Sequence, residues 1–304
     1  MVWRILSKLV GPLRSKKAIE GREPMTGLFS PQAMARAWLR VRANGGGPGV
    51  DEETIRAFEA HLEANLEALR QELLRGTYRP RPVRRVLVPK PDGGLRPLAI
   101  WALRDRVAQR VVYDYLEPIF EEEFLDSSYG FRPGRGVEEA VRAILSHRDA
   151  GYRWVVDADI KRCFDSMDTG LLMRLLRRRV RNRVVLRLIE AWLKARILNP
   201  ASGERGRAGT SQGGVLSPLL CNVYLHPFDL EMARRGLRLV RYADDFVILC
   251  RYKREAREAM AVAERALARL RLALNPHKTR IVHFDQGFRF LGVFFLRNEH
   301  FYLR

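Results

Sequence analysis

Two aspartates stand side by side in this sequence, Asp244 and Asp245, with strand-like apolar residues on either side. Leu237-Arg238-Leu239-Val240-Arg241 runs up to them and Phe246-Val247-Ile248-Leu249-Cys250 runs away. Adjacent carboxylates repel, and a purely structural turn is more often built from Asn-Gly or Asp-Gly. A hard cation between the acids removes the conflict, and oxygen ligands suit Mg2+. A solvated hairpin tip also tolerates two acids, so the pair decides little by itself. A third acid ends another apolar strand, Trp154-Val155-Val156-Asp157-Ala158-Asp159-Ile160. Laid beside the hairpin, that strand brings Asp159 to Asp244 and Asp245, and three carboxylates can hold two Mg2+ ions for an in-line phosphoryl transfer. Asp157 competes for the same role, because alternate residues of a strand face one side.

The elements that must position these acids are legible as patterns. Residues 31–43 read as a helix with Pro31 in its first turn. Ile55, Phe58, Leu62, Leu66, Leu69 and Leu73 recur every three to four residues and predict one long helix, ended by Gly76. Val83, Val86 and Val88 mark a basic strand, and Pro91-Asp92-Gly93-Gly94 a turn, which together read as a basic hairpin. Helices are expected over 104–124, after Gly136, over 170–196, 217–234 and 254–274. Final strands are expected over Thr279–Phe284 and Arg289–Leu296. From 154 to 296 the order is strand, helix, strand–turn–strand, helix, strand, the split β-α-β-β-α-β arrangement. Many unrelated proteins share it, so it does not fix a function.

Charge points to a partner. Among 304 residues, 55 are Lys or Arg and 35 are Asp or Glu, a net charge of +20. Such an excess repels itself unless a polyanion compensates it, and nucleic acid gains by releasing counterions. Arginine dominates; a GC-rich genome would also favour its codons, but that does not set the net charge. Arg174, Arg177, Arg178, Arg179, Arg181 and Arg183 crowd one region and spread over more than one helix face, in position to track a phosphate backbone. Cys163, Cys221 and Cys250 lie far apart among apolar residues and read as buried thiols of a reducing cytoplasm. No apolar run reaches the length of a membrane span. Arg4 and Lys8 break any signal-peptide core, while Val2, Ile5, Leu6, Leu9 and Leu13 share one helical face suited to docking.

The ordered motifs resemble those of reverse transcriptases, most closely the group II intron-encoded branch. Tyr242-Ala243-Asp244-Asp245 follows a strand, Asp159 precedes Phe164 by five residues, and Gln212-Gly213-Gly214-Val215-Leu216-Ser217-Pro218 lies between. Blocks similar to that branch also occur at 46–51, 78–98, 116–124, 128–136, 158–165, 275–279 and 288–292. The resemblance implies an α+β right-hand polymerase whose palm is a ferredoxin-like β-α-β-β-α-β sheet with helices on one face. It implies a basic leader over 1–28, fingers over 29–150 and palm over 151–304, with thumb/maturase and endonuclease domains absent. It selects Asp159 over Asp157, and makes Asp159, Asp244 and Asp245 the catalytic acids and ligands of two Mg2+ ions, with Mn2+ as a substitute. Lys90 and Arg96 are then expected on the triphosphate, Phe164 as the gate against a ribose 2′-hydroxyl, and Ile160 and Gln212 at the nucleotide. Arg132, Arg135, Lys278 and Gly292, the last in a primer-grip turn, are expected on nucleic acid. The implied partners are an RNA template, a DNA or RNA primer, dNTPs, and either intron RNA or a protein that supplies the thumb's work, with no membrane. Two alternatives remain from the same resemblance: a maturase acting in splicing, and a subunit of a CRISPR or phage-defence assembly.

Overall fold

The structure, a computed structural model, describes residues 25–89, 93–198, 205–207, 209–210 and 213–303. The leader stripe of residues 2–13, with Pro91 and Asp92 of the expected turn, lies outside them. The elements run α1 (Met25–Leu28), α2 (Pro31–Asn44), α3 (Ile55–Ala60), α4 (Leu62–Arg75), β1 (Val83–Pro89), β2 (Leu95–Ile100), α5 (Leu103–Glu121) and α6 (Val137–Asp149). There follow β3 (Trp154–Asp159), α7 (Cys163–Ser166), α8 (Thr169–Arg179), α9 (Arg183–Leu193), β4 (Arg196–Leu198) and β5 (Arg205–Arg207). The chain continues through α10 (Ser217–Arg234), β6 (Arg238–Tyr242), β7 (Asp245–Cys250), α11 (Lys253–Arg269), β8 (Arg280–His283), β9 (Phe288–Phe290), β10 (Val293–Leu296) and β11 (Glu299–Tyr302). Two compact units emerge: one reaches to Phe120 and takes in Met173–Ser217, the other joins Glu121–Leu172 to Pro218–Arg304.

In the first unit, α2 starts where Ser30 Oγ accepts the Ala33 N–H at 3.2 Å, with Pro31 inside the cap. The helix expected from Ile55 to Leu73 is instead two, broken at His61, whose φ of −127° leaves the helical region. The apolar period runs straight through the break, so periodicity could not reveal it. Leu62, Leu66, Leu69 and Leu73 are all buried, and Gly76 ends α4 in the left-handed conformation at φ 71°. Trp38 stacks on Phe58 with centroids 4.6 Å apart. The hairpin β1–β2 forms in antiparallel register, and β4 adds parallel to β1, giving the order β2-β1-β4-β5. A buried polar knot ties the unit together. Tyr78 Oη donates to Asp105 Oδ1 at 2.5 Å and accepts from Trp192 Nε1 at 2.9 Å, and the Arg81 N–H donates to Asp105 Oδ2 at 3.0 Å. Burial pushes the Asp105 carboxyl up to about 6.

The second unit is built on an antiparallel sheet in the order β6-β7-β3-β8. With β3 as the first strand of the β-α-β-β-α-β unit, this is the ferredoxin-like order. Strand alternation divides the two faces. Phe246 lies on the face covered by α10, its ring 5.1 Å from Phe228. Val155, Val240, Val247 and Leu249 lie on the other, in one cluster with Ala140, Val141 and Ile144 of α6 and with Phe284, Phe288, Phe290 and Phe295. That opposite layer exceeds the expected one-sided helical cover: α6 and the meander β9–β10–β11 both belong to it. The strand expected over 289–296 is split, because Leu291 and Gly292 take φ of 52° and 74°, which a pleated strand cannot accommodate. Among the described residues, no helix is long and apolar enough to cross a membrane.

Candidate active site

The sheet register sets the acids. Asp159, the last residue of β3, is the partner of Asp245, the first of β7. Tyr242 pairs with the same Asp245 across the hairpin, which leaves Ala243-Asp244 as a two-residue loop. The end of β3 is fastened on both sides. Ile160, itself buried, donates its N–H to Asp244 O at 3.3 Å, and the Asn275 N–H donates to Asp159 O at 2.8 Å. Asn275 Nδ2 also donates to Asp159 Oδ2 at 2.9 Å, and Lys278 Nζ stands 3.7 Å from the same oxygen. Asp157, the rival candidate on the same strand, is engaged by Arg280 Nε at 3.0 Å.

Crowding and partial burial raise two of these carboxyls. Burial, then the charges of Asp244 and Asp159, push the Asp245 carboxyl up to about 7, and it shares a hydrogen bond with Asp159. Burial foremost, aided by Asp159, also raises Asp244. Among the described residues, no group of three Asp, Glu, His or Cys side chains is closed into a metal cage. The donor chemistry still fits a hard divalent cation: oxygen ligands alone, and negative charges that presently compete. An open cleft of about 330 Å3 adjoins Asp159 and Asp245, and Asp157, Lys278, Arg280, Arg289 and Leu291 also line it.

The loop between the strands is strained and braced. Ala243 takes φ 56° at a position where two-residue hairpin loops usually carry glycine. Arg241, fully buried, holds it by donating from Nη1 to Ala243 O at 2.9 Å. The same guanidinium grips Asp229 through two bonds of 2.7 and 2.5 Å, Asn222 Oδ1 at 2.9 Å and Ser128 Oγ at 2.8 Å. Asp229, Asn222 and Ser128 are buried too. Asn222 Nδ2 donates onward to Gly130 O at 2.8 Å, and a Cβ on Gly130 would come within 2.6 Å of the Ala243 nitrogen. Residues 127–130 therefore wrap the back of the turn, with Tyr129 N–H and Arg241 N–H exchanging bonds at 2.8 Å with Arg241 O and Ser127 O. Sequence reasoning singled out none of Arg241, Asp229, Asn222 or Gly130 as supports.

The other candidate residues fall in different places. Phe164 is buried, 9% exposed, on the short helix α7 just beyond Asp159. Gly292 turns the chain between β9 and β10 beside Leu291 of the cleft. Arg135 is half-buried, bonded to Asp126 and 5.5 Å over the Tyr129 ring. Arg132, expected on nucleic acid, is instead turned inward: it chelates Glu121 and caps the carbonyls of Leu125 and Ser128 at 2.6 and 2.8 Å. A guanidinium satisfied that fully serves the loop that backs the acids. Arg96 sits exposed on β2, in the first unit. Lys90 and Gln212 lie outside the described residues. The neighbours of Gln212 are described: Gly213 takes φ 105°, where a Cβ would collide with the Ala99 carbonyl, and buried Gln109 accepts the Val215 N–H at 3.0 Å.

Comparison with known proteins finds a matching family and relatives. Residues 88–295 match the family described as reverse transcriptase (RNA-dependent DNA polymerase). The chain is 36% identical to protein YkfC of Escherichia coli, over 90% of this chain and 83% of that one. It is 30% identical to the group II intron-encoded protein LtrA of Lactococcus lactis, over 87% of this chain and 55% of LtrA, so it spans about half of that relative's length. In three dimensions it resembles telomerase from Candida albicans with a TM-score of 0.57 and 13% identity, over 81% of this chain and 49% of that one, a likeness of fold.

Proposed function

The chain belongs to the reverse transcriptase family, and from that premise we propose that it extends a primer 3′-hydroxyl along an RNA template with deoxynucleoside triphosphates. The observation that carries this reading is the pairing of Asp159 with Asp245 in one register, with Asp244 on the adjoining braced loop. Asp159, Asp244 and Asp245 are the residues to hold Mg2+, or Mn2+ in its place. A bound pair of such ions supplies Lewis-acid stabilisation of the attacking and leaving oxygens. The protein's own contribution is position. Asn275 and Lys278 orient Asp159, and Arg241 fixes the loop that carries Asp244. Phe164 acts as the gate against ribose, Ile160 holds the strand end, and Gly292 shapes the primer side of the cleft. Lys90, Arg96 and Gln212 bind the nucleotide, and Arg135 and Lys278 approach the nucleic acid. In this reading the fingers lie in 29–150 and the palm in 151–304, the acids belonging to the palm.

Primer extension on RNA and DNA templates, side by side, tests the reading. Extension with dNTPs on the RNA template, abolished by a chelator, is the expected result. Failure to add nucleotides to any primed template sinks it. In the same assay Phe164→Val is expected to admit ribonucleotides, and unchanged selectivity would remove Phe164 from the gate.

Metal affinity is expected to depend on pH. A cation needs ionised carboxylates, and the metal-free Asp245 carboxyl titrates near 7. Below that pH, binding must expel a proton, so apparent Mg2+ affinity rises toward pH 7 and levels off above it. Calorimetry in buffers of different ionisation enthalpy would show the released proton. An affinity flat between pH 6 and 8 contradicts the shared-proton site.

A further inference from the structure

The richest run of positive charge lies away from the acids in sequence. From Thr169 to Ile189 there is no Asp or Glu, while Arg174, Arg177, Arg178, Arg179, Arg181, Arg183 and Arg187 are all exposed. The opposite sides of these helices supply the burial: Leu172, Met173, Leu176 and Val180 around α8, and Val185, Leu188, Ile189 and Trp192 on α9. The apolar packing of this segment is thus made without the arginines.

Helix electrostatics account for part of the charge and fail for the rest. Arg177, Arg178 and Arg179 stand in the last turn of α8, where the dipole favours cations. Arg183 stands in the first turn of α9, where a cation is unfavourable and where no acid is present. Asn182 caps that helix by accepting from Val184 N–H at 2.9 Å and Val185 N–H at 3.2 Å, so Arg181 and Arg183 flank the cap without serving it. Arg174 and Arg178, and again Arg183 and Arg187, are like charges one helical turn apart, a spacing that costs stability. Arg174, Arg178, Arg181, Arg183 and Arg187 make no ion pair among the described residues. Glu190, the first acid to follow, is held by Lys194 at 2.7 Å and lies 3.9 Å from Arg177. The single aromatic ring of both helices, Trp192, is buried, so the surface offers no platform for stacking bases.

We propose that the exposed arginines of α8, α9 and the turn between them form a sequence-independent binding surface for the phosphate backbone of folded, double-stranded RNA. The proposal rests on the reading that RNA is this protein's partner, and it adds a grip separate in sequence from the residues assigned to the nucleotide and the acids. Guanidinium forks suit phosphates, the missing rings remove base stacking, and the deep, narrow major groove of an RNA duplex closes its base edges to these side chains.

The test is equilibrium binding of the full chain to a blunt-ended RNA duplex across a salt series. The triple variant Arg178→Gln, Arg181→Gln, Arg183→Gln is compared with a charge-matched control, Arg257→Gln, Arg265→Gln, Arg269→Gln, on exposed positions of α11. Every phosphate left without its guanidinium flattens the slope of log K against log salt by about 0.9, so a decrease of about two to three is expected for the first variant and little for the control. A slope unchanged in the first variant, or lowered equally in both, overturns the proposal. So does wild-type binding to phosphatidylserine vesicles through these residues with no binding to the duplex. Wild-type primer extension is measured in parallel. A flattened slope without any extension would remove the polymerase reading and leave this surface standing; extension with an unchanged slope would do the reverse.

Discussion

Asp244→Asn is expected to lower primer extension by at least about 10³-fold and, in the same protein, to raise the unfolding temperature in chelator at neutral pH. The two effects have one cause. Asp244 is an acid whose folded-state pKa lies above its ordinary value, because it is half-buried and faces the charge of Asp159. The folded state therefore binds more protons than the unfolded chain in the window above pH 3.8, and stability falls as pH rises through it. An amide has no charge to desolvate, so the variant's advantage appears above that pH and persists at neutrality. The same amide is a poor partner for a divalent cation, so catalysis is lost. Thermal melts at pH 5 and pH 8 in chelator, set beside extension rates, check both halves. A variant that melts lower than wild type at pH 8 would show that Asp244 is structural, and one that extends at the normal rate would remove it from the chemistry.

Arg241→Leu is expected to cost about 3–5 kcal/mol, since it leaves Asp229 buried without its counter-ion. The informative comparison is the double variant Arg241→Leu, Asp229→Leu. Replacing both partners of a buried pair by apolar groups commonly restores stability. Here it should recover most of the loss yet leave extension slow, because the bond to Ala243 O and the strut to Asn222 are gone. Denaturant unfolding gives the first quantity and extension kinetics the second. A double variant that is both stable and fully active would show that the guanidinium does not position the turn. A single variant as stable as wild type would contradict the buried pair itself.

Much of the second unit was legible in the sequence, for identifiable reasons. The strands around the Asp pair and at 154–159 are short apolar runs, and their order names the topology. The helix over 217–234 has the bounds its composition suggests. Backbone conformation was harder to read. The break at His61 and the turn at Leu291-Gly292 interrupt continuous apolar patterns, and β11 is exposed throughout, so no burial period marks it. Arg241 shows a different limit. Its alternation with Leu239 pointed it inward, but an arginine is buried only with partners, and these lie 12, 19 and 113 residues away. Pairings that distant leave no local trace. Arg132 was misjudged at shorter range: a basic, glycine-rich loop suggests a surface, while Glu121 and three backbone carbonyls of the same loop turn the side chain in.

The register between β3 and β7 acts as a ruler shared by the chemistry and the core. Asp245 points to the same face as Val247 and Leu249, and Asp159 to the same face as Val155. A slip of one residue in β7 would carry Asp245 to the side of α10 and bring Phe246, now fully buried, to the cleft. Insertions or deletions between Arg238 and Cys250 would thus unfold the sheet before they altered the reaction. The spacing of the acids is guarded by the cost of exposing phenylalanine and valine to water, and a lineage could lose its need for polymerisation and still keep its aspartates in line.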